Sequence, residues 1–187
     1  MDVDTQFPST IPTGPTIWSD ATWAPDYGTY YDNYRSTSGW CVSGNVDGSN
    51  LLSWSATRQP VVALSSSESE WYAASEAAKE ASYIKDLFND LDLPNVDPSI
   101  LKCDNQSTIK QSINAVSQRN SRHIGMRNHF LRFLCHSGRL LLQFVPTTEQ
   151  LADCMTKNLP MPTHEKLRFQ MGVLRRDEFL SHPGVAS

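Results

Sequence analysis

Four carboxylates stand where an ordinary surface acid is not expected. Asp20 interrupts the strand-like run PTIWSDATWAP, and Asp104 ends the apolar run SILKCD. Glu70 falls in the first turn of a long amphipathic pattern, and Asp153 in the first turns of a later one. A carboxylate drawn into an apolar interior loses hydration, which is costly unless a cation or hydrogen bonds compensate. Should the four converge at one sheet edge, their oxygens suit Mg²⁺, which keeps several waters and takes few protein carboxylates. Two such ions about 4 Å apart activate a water and stabilise the leaving oxygen of a phosphodiester. Each acid also has a plainer use. Glu70 caps a helix with Ser67, Asp153 favours a helix start with no metal, and Asp20 pairs with an arginine.

The elements that must position these acids are legible in the hydrophobic pattern. Residues 15–25 read as a strand, residues 26–39 as a polar, aromatic connection, and GWCVSGNV and NLLSWSATR as a hairpin turning near Asp47-Gly48. Trp71, Ala74, Ala77, Ala78, Ala81, Ile84, Leu87, Phe88 and Leu91 recur at helical spacing, and Pro94 closes that helix. Ser65 with Glu68, or Ser67 with Glu70, forms a capping box at its start. ILKCDN is a strand, followed by a weaker helical stretch from Gln106 to Val116. RHIGMRNHFLRFLCHSG is a helix with Ile124, Phe130, Leu131 and Leu134 inward, ended by Gly138. RLLLQFVP is a strand, TTEQLADCMTKNL a helix, and a short helix reaches Gly172 before a polar tail. The order predicts an α/β fold with a five-stranded mixed sheet flanked by helices. Residues 1–15 form a mobile leader, 16–160 the domain, and 161–187 a short helix and tail.

The chain has 187 residues, 39% of them hydrophobic, enough for one core without disulfides. Cys41, Cys103, Cys135 and Cys154 are scattered singly, without CxxC pairs or zinc-ligand spacing, and read as free thiols. No run of about 18 apolar residues and no signal peptide is found, so an intracellular protein is expected, cytoplasmic or nuclear, with no membrane partner.

The net charge of −4 conceals a division. Residues 68–97 carry eight acids against Lys79 and Lys85. From Asn105 to Phe144 there is no acid, while Lys110, Arg119, Arg122, Arg127, Arg132 and Arg139 occur with His123, His129 and His136. Such a segment presents either a basic face to a polyanion or simply solvated helix faces. Arg122, Arg127 and Arg132 cannot share one face, since each step of five advances about 140° round a helix.

These stretches resemble, in order, the ribonuclease H domain of copia-type LTR retrotransposon polyproteins, from Trp18 to Val173. WSDATWAPD is similar to SDADWAGD, and YRSTSGWCV to RRSTSGYVF. SWSATRQPVVALSSSESEWYAASEAAKEA resembles the family's SWSSKKQ and VALSSTEAEYVALSEAAKEA. CDNQSTI, RHIGMRNHFLR and TTEQLADCMTKNLP continue the series. The resemblance implies the ribonuclease H-like fold and endonucleolytic hydrolysis of the RNA strand of RNA/DNA hybrids. It also implies two Mg²⁺ ions, with Mn²⁺ able to substitute, held by Asp20, Glu70, Asp104 and Asp153. A reverse transcriptase domain of the same polyprotein is an expected neighbour, with a virus-like particle as one setting. Asn105, Gln106 and Ser107 follow a metal-binding Asp and are expected to reach 2′-hydroxyls, with helix capping as their alternative use. Arg122, His123, Arg127, His129 and Arg132 are the expected phosphate and substrate contacts. Two departures stand out. Thr22 replaces the second Asp of SDAD, and the loop PTTEQ lacks the histidine that the wider superfamily often places before its last acid. Another nuclease of that superfamily, a non-catalytic tether beside a reverse transcriptase, and a plain interaction domain are the rival readings.

Overall fold

The computed structural model describes residues 14–23, 34–93, 98–106, 108–109 and 122–181, with backbone alone at 122–126, 128, 180 and 181. Five strands form one mixed sheet: β1 (Thr16–Thr22), β2 (Thr37–Ser43), β3 (Leu51–Arg58), β4 (Ser99–Cys103) and β5 (Leu140–Phe144). Their order is β3-β2-β1-β4-β5, antiparallel across β1 to β3 and parallel from β1 through β4 to β5. The five-stranded mixed sheet expected from sequence is present. Strand β2 begins inside the stretch read as a connection, because Thr37 and Ser38 pair with Thr22 and Ala21 of the central strand.

Strand β1 is covered on both faces, as the buried run from Thr16 to Ala21 requires. On one face lies helix α1 (Ser66–Asp90), whose Ala73, Ala74, Ala77, Ala78 and Ala81 are at most 1% exposed. Small side chains let the helix sit close to Ile17, Val42 and Leu101 of the sheet. Leu87 and Leu91, expected inward, are instead exposed. A helix of 25 residues spans about 37 Å at 1.5 Å per residue, whereas seven-residue strands reach only about 23 Å, so its last turns outrun the sheet. Helix α2 (Arg122–His136) packs beside α1 and buries Leu131 and Leu134. Ile124 has no described side chain.

The opposite face carries a smaller core of Trp18, Cys41, Val145, Leu151, Leu167 and Met171. The helix expected across TTEQLADCMTKNL is broken into a 3₁₀ turn (Thr147–Glu149) and α3 (Asp153–Thr156). Gln150 separates them in an extended conformation, and its fully buried amide donates to the Ser19 carbonyl at 3.0 Å. That bond joins positions 131 apart in the sequence and holds Gln150 out of helical geometry. Helix α4 (Met161–Gln170) supplies Leu167 to this core. Part of the expected polar tail is helical, α5 (Arg176–Ser181), held by a two-pronged ion pair from Arg168 to Glu178 at 2.9 Å.

The expected helix 106–116 appears at Gln106, Thr108 and Ile109, and the rest of it lies outside the described residues. So do residues 1–13 of the leader, Ser107, Tyr27, Tyr30 and Tyr31. The four cysteines are free thiols, as their spacing implied. No described helix is long and apolar enough to cross a membrane.

Candidate active site

The register of the parallel pair brings the first two acids together. Trp18 of β1 pairs with Lys102 of β4, and Asp20 and Asp104 follow two residues further along each segment, Asp104 just past the end of β4. Neighbouring strands are about 4.8 Å apart, so the two carboxylates face each other across one step of the sheet. Glu70 reaches the same place from the first turns of α1. Oxygens of Asp20, Glu70 and Asp104 all lie within 4.8 Å of one another.

Glu70 reaches this position because another residue caps the helix. The Ser65 hydroxyl accepts the Glu68 backbone N–H at 3.2 Å, and the Glu68 carboxylate accepts the Leu64 N–H at 2.7 Å. Of the two boxes open in the sequence, the Ser65–Glu68 pair forms, leaving the Glu70 carboxylate to the cluster. Gln59, 1% exposed, clamps this corner by donating to Ser38 Oγ at 2.8 Å and to the Ser69 carbonyl at 2.9 Å.

Asp153 approaches from the other side of the sheet on α3 and does not join the group of three. Lys157 stands between it and Asp20, with Nζ 2.7 Å from Asp153 Oδ1 and 3.4 Å from Asp20 Oδ1. Thr156 donates its hydroxyl to Asp20 Oδ2, while its own carbonyl accepts from Thr22 at 2.7 Å. Thr147, in the loop that lacks a histidine, donates to Asp104 Oδ2 at 3.1 Å. Thr147, Thr156 and Lys157 were not singled out by sequence. The four-residue spacing of Asp153 and Lys157 was the available signal for the lysine.

The electrostatics follow from burial. Burial raises the Asp20 carboxyl above its usual value, against the Thr156 hydrogen bond and the Lys157 charge, and Asp104 adds to the rise. Glu70 is pushed up to about 9, by burial first and then by Asp20 and Asp104. Asp153 is pushed up to about 6 by burial, opposed by its bond to Lys157. For Lys157 burial acts downward, yet the Asp153 bond and the charges of Asp20, Asp153 and Asp104 outweigh it and raise it. Crowded buried carboxylates that resist ionisation are a donor set fitted to a hard divalent cation.

The expected substrate contacts divide. Asn105 caps its helical turn, its side-chain oxygen accepting the Thr108 N–H at 3.2 Å. Gln106 is exposed beside Asp104. The Arg127 guanidinium lies 4.0 Å over the ring of Tyr72, two residues beyond Glu70. His129 is exposed and Arg132 half-buried on α2. The side chains of Arg122 and His123, and all of Ser107, lie outside the described residues.

No protein-family model matches the chain. It is 33% identical over 158 residues to the retrovirus-related Pol polyprotein from transposon RE1 of Arabidopsis thaliana, covering 84% of this chain and 10% of that one. The corresponding polyprotein from transposon TNT 1-94 of Nicotiana tabacum is 30% identical over 156 residues, 83% of this chain and 11% of that one. The chain thus spans about a tenth of the length of the curated relatives it matches. Among solved structures, RNase H1 from the archaeon Halobacterium salinarum superposes with a TM-score of 0.53 at 17% identity, over 75% of this chain and 92% of that one. The foamy viral protease-reverse transcriptase in complex with RNA/DNA hybrid gives 0.55 at 12% identity, over 83% of this chain and 21% of that one. Sequence relatives and fold agree, and the chain belongs with the ribonuclease H-fold segments of the retrovirus-related Pol polyproteins of transposons.

Proposed function

We propose that this domain is a divalent-metal-dependent endoribonuclease that hydrolyses the RNA strand of RNA/DNA hybrids, in the setting of a copia-type reverse transcriptase. The observation that carries the reading is the convergence of Asp20, Glu70 and Asp104, from strand β1, the start of α1 and the residue after β4, at the carboxyl ends of the two adjacent central strands. Three buried or half-buried acids with oxygens this close are mutually repulsive and gain from a shared cation. A hybrid is present in the foamy viral relative of the same fold, which supports the substrate class.

In this reading Asp20, Glu70 and Asp104 hold Mg²⁺, with Mn²⁺ able to substitute. The two-ion form of the chemistry assigns Asp153, with Asp20, to a second ion. A bound divalent ion supplies a water of lowered pKa and charge stabilisation at the phosphodiester. The chain's own groups position the reactants. Thr147 orients Asp104 and Thr156 orients Asp20 by hydrogen bonds, as partners outside a metal's direct ligands commonly do. Gln106 is the proposed donor or acceptor to a 2′-hydroxyl, with Asn105 shaping the turn that presents it. Arg127, His129 and Arg132, with Arg122 and His123 on the same helix, are the proposed phosphate contacts.

The test is cleavage of a labelled RNA/DNA hybrid with Mg²⁺, with EDTA, and with an Asp104→Asn variant. Cutting of the RNA strand alone is expected, abolished by EDTA and lost in the variant, which removes a proposed metal ligand. Salt-sensitive binding without cutting would replace this reading with that of a non-catalytic tether.

A further inference from the structure

Three strands come level at the edge that carries the acids. Thr22 of β1 pairs with Thr37 of β2, and Thr37 pairs with Arg58 of β3. The chain just outside each strand therefore passes the same edge: Trp23 after β1, Tyr34 before β2, and residues 60–64 after β3. Apolar surface is concentrated there. Trp23 is 49% exposed, Tyr34 82% and Leu64 80%, with Val61 and Val62 also open to solvent.

Trp23 is the anchored member of this rim. Its indole N–H donates to the carbonyl of the buried Ala63 at 3.0 Å. Leu64, the next residue, is fixed in turn, its N–H donating to the Glu68 carboxylate at 2.7 Å. On the strand side, the Thr22 hydroxyl donates to the Thr156 carbonyl at 2.7 Å. The indole is tied by its polar end while half of the side chain meets solvent. A ring held in this way offers a rigid apolar surface at small entropic cost.

The position of Trp23 limits what can meet that surface. It lies three residues past Asp20, at most about 11 Å along an extended chain. Between them, the Ala21 backbone N–H donates to the Glu70 carboxylate. A duplex that brings a phosphodiester to Asp20, Glu70 and Asp104 carries the neighbouring nucleotides over Trp23. Bases inside a duplex are stacked on one another, whereas its wide, shallow minor groove displays the sugars. A flat side chain at this edge meets sugars.

We infer that Trp23 is a substrate-contact residue whose indole packs on a sugar of the hybrid beside the scissile phosphodiester. This rests on the hybrid-cleaving reading above. Val61, Val62 and Leu64 widen the apolar rim. Tyr34, held at a φ of 49° that bulky residues rarely adopt, stands on the same edge. An uncharged contact adds affinity without displacing counterions, so it leaves the salt dependence of binding unaltered.

Binding of the full chain to a labelled RNA/DNA hybrid in EDTA, where the metal-dependent reading allows no cutting, tests the contact. Trp23→Ala is expected to weaken binding about tenfold with an unchanged salt slope, and Trp23→Phe, which keeps an aromatic face, by less than about threefold. In the bound, unsubstituted chain, nuclear Overhauser effects are expected between Trp23 ring protons and sugar protons of the hybrid, with the Trp23 signals identified by their loss in Trp23→Phe. A folded Trp23→Ala that binds as tightly as the unsubstituted chain would overturn the inference and give the rim to a protein neighbour. An equal loss in Trp23→Phe would overturn it too, leaving the indole only its tie to Ala63. Should Trp23→Ala fail to fold, the Overhauser effects decide, and a bound hybrid without them overturns the inference. Failure of the unsubstituted chain to bind hybrid would overturn both readings. Binding with these contacts but no Mg²⁺-dependent cutting would sustain this one and sink only the nuclease.

Discussion

Gly39 lies directly beneath Thr156, so close that a Cβ on the glycine would stand 2.5 Å from Thr156 Cγ2 and 2.7 Å from Met155 Cβ. Gly39 is also the antiparallel partner of Asp20. One missing side chain thus governs how near α3, with Thr156 and Lys157, comes to the central acid.

Gly39→Ala is expected to displace α3, because Met155 Cβ is fixed to the backbone and cannot swing aside. Overpacking of this kind costs about 1–3 kcal/mol, and a chain of this size loses about 2–4 °C in Tm per kcal/mol. Thermal unfolding in EDTA measures the loss, and hybrid cleavage is expected to fall with it. An unchanged Tm would show that α3 has slack over β2.

The acid cluster makes the metal-free protein sensitive to pH. The Glu70 carboxyl is raised from 4.5 to about 9, so between those values the folded chain keeps a proton that the unfolded chain has released. Its contribution to stability is complete below the unfolded value and is lost as pH rises toward about 9. In EDTA, Tm is expected to decline across that window, and Glu70→Gln is expected to flatten the decline. Mg²⁺ is expected to oppose it as well, since a cation binds the ionised carboxylates. Melting curves at a series of pH values, with and without Mg²⁺, check both effects.

Arg127 carries two expectations that separate experimentally. Its stack on Tyr72 contributes about 0.5–2 kcal/mol, so Arg127→Ala is expected to lower Tm by a few degrees at any salt concentration. If the guanidinium also meets a phosphate, the same change lowers the salt-dependence slope of hybrid binding by about one. A lower Tm with an unaltered slope would make Arg127 a purely structural residue. Arg127→Lys keeps the charge and is expected to restore more of the slope than of the Tm.

Much of the architecture was legible in the chain. Alternation and apolar runs located all five strands, and the three-and-four spacing of alanines located α1, because both signals arise from local burial repeated along one element. The motifs around Asp20, Glu70, Asp104 and Asp153 named the acids through their resemblance to a family. Where local signals competed, they did not decide. The TTEQLADCMTKNL run reads as one helix, yet Gln150 is extended and bonded to Ser19, far away in the sequence.

What the sequence determined by itself was therefore the set of elements and the identity of four unusual acids. Only the tertiary structure decided their company. The β1–β4 pairing brings Asp20 near Asp104, the Ser65–Glu68 cap leaves Glu70 to join them, and Lys157 bridges Asp153 to Asp20. The physical reason is range. Helix and strand patterns repeat over a few residues, whereas the meeting of Lys157 with Asp20 spans 137 positions and depends on how whole elements pack.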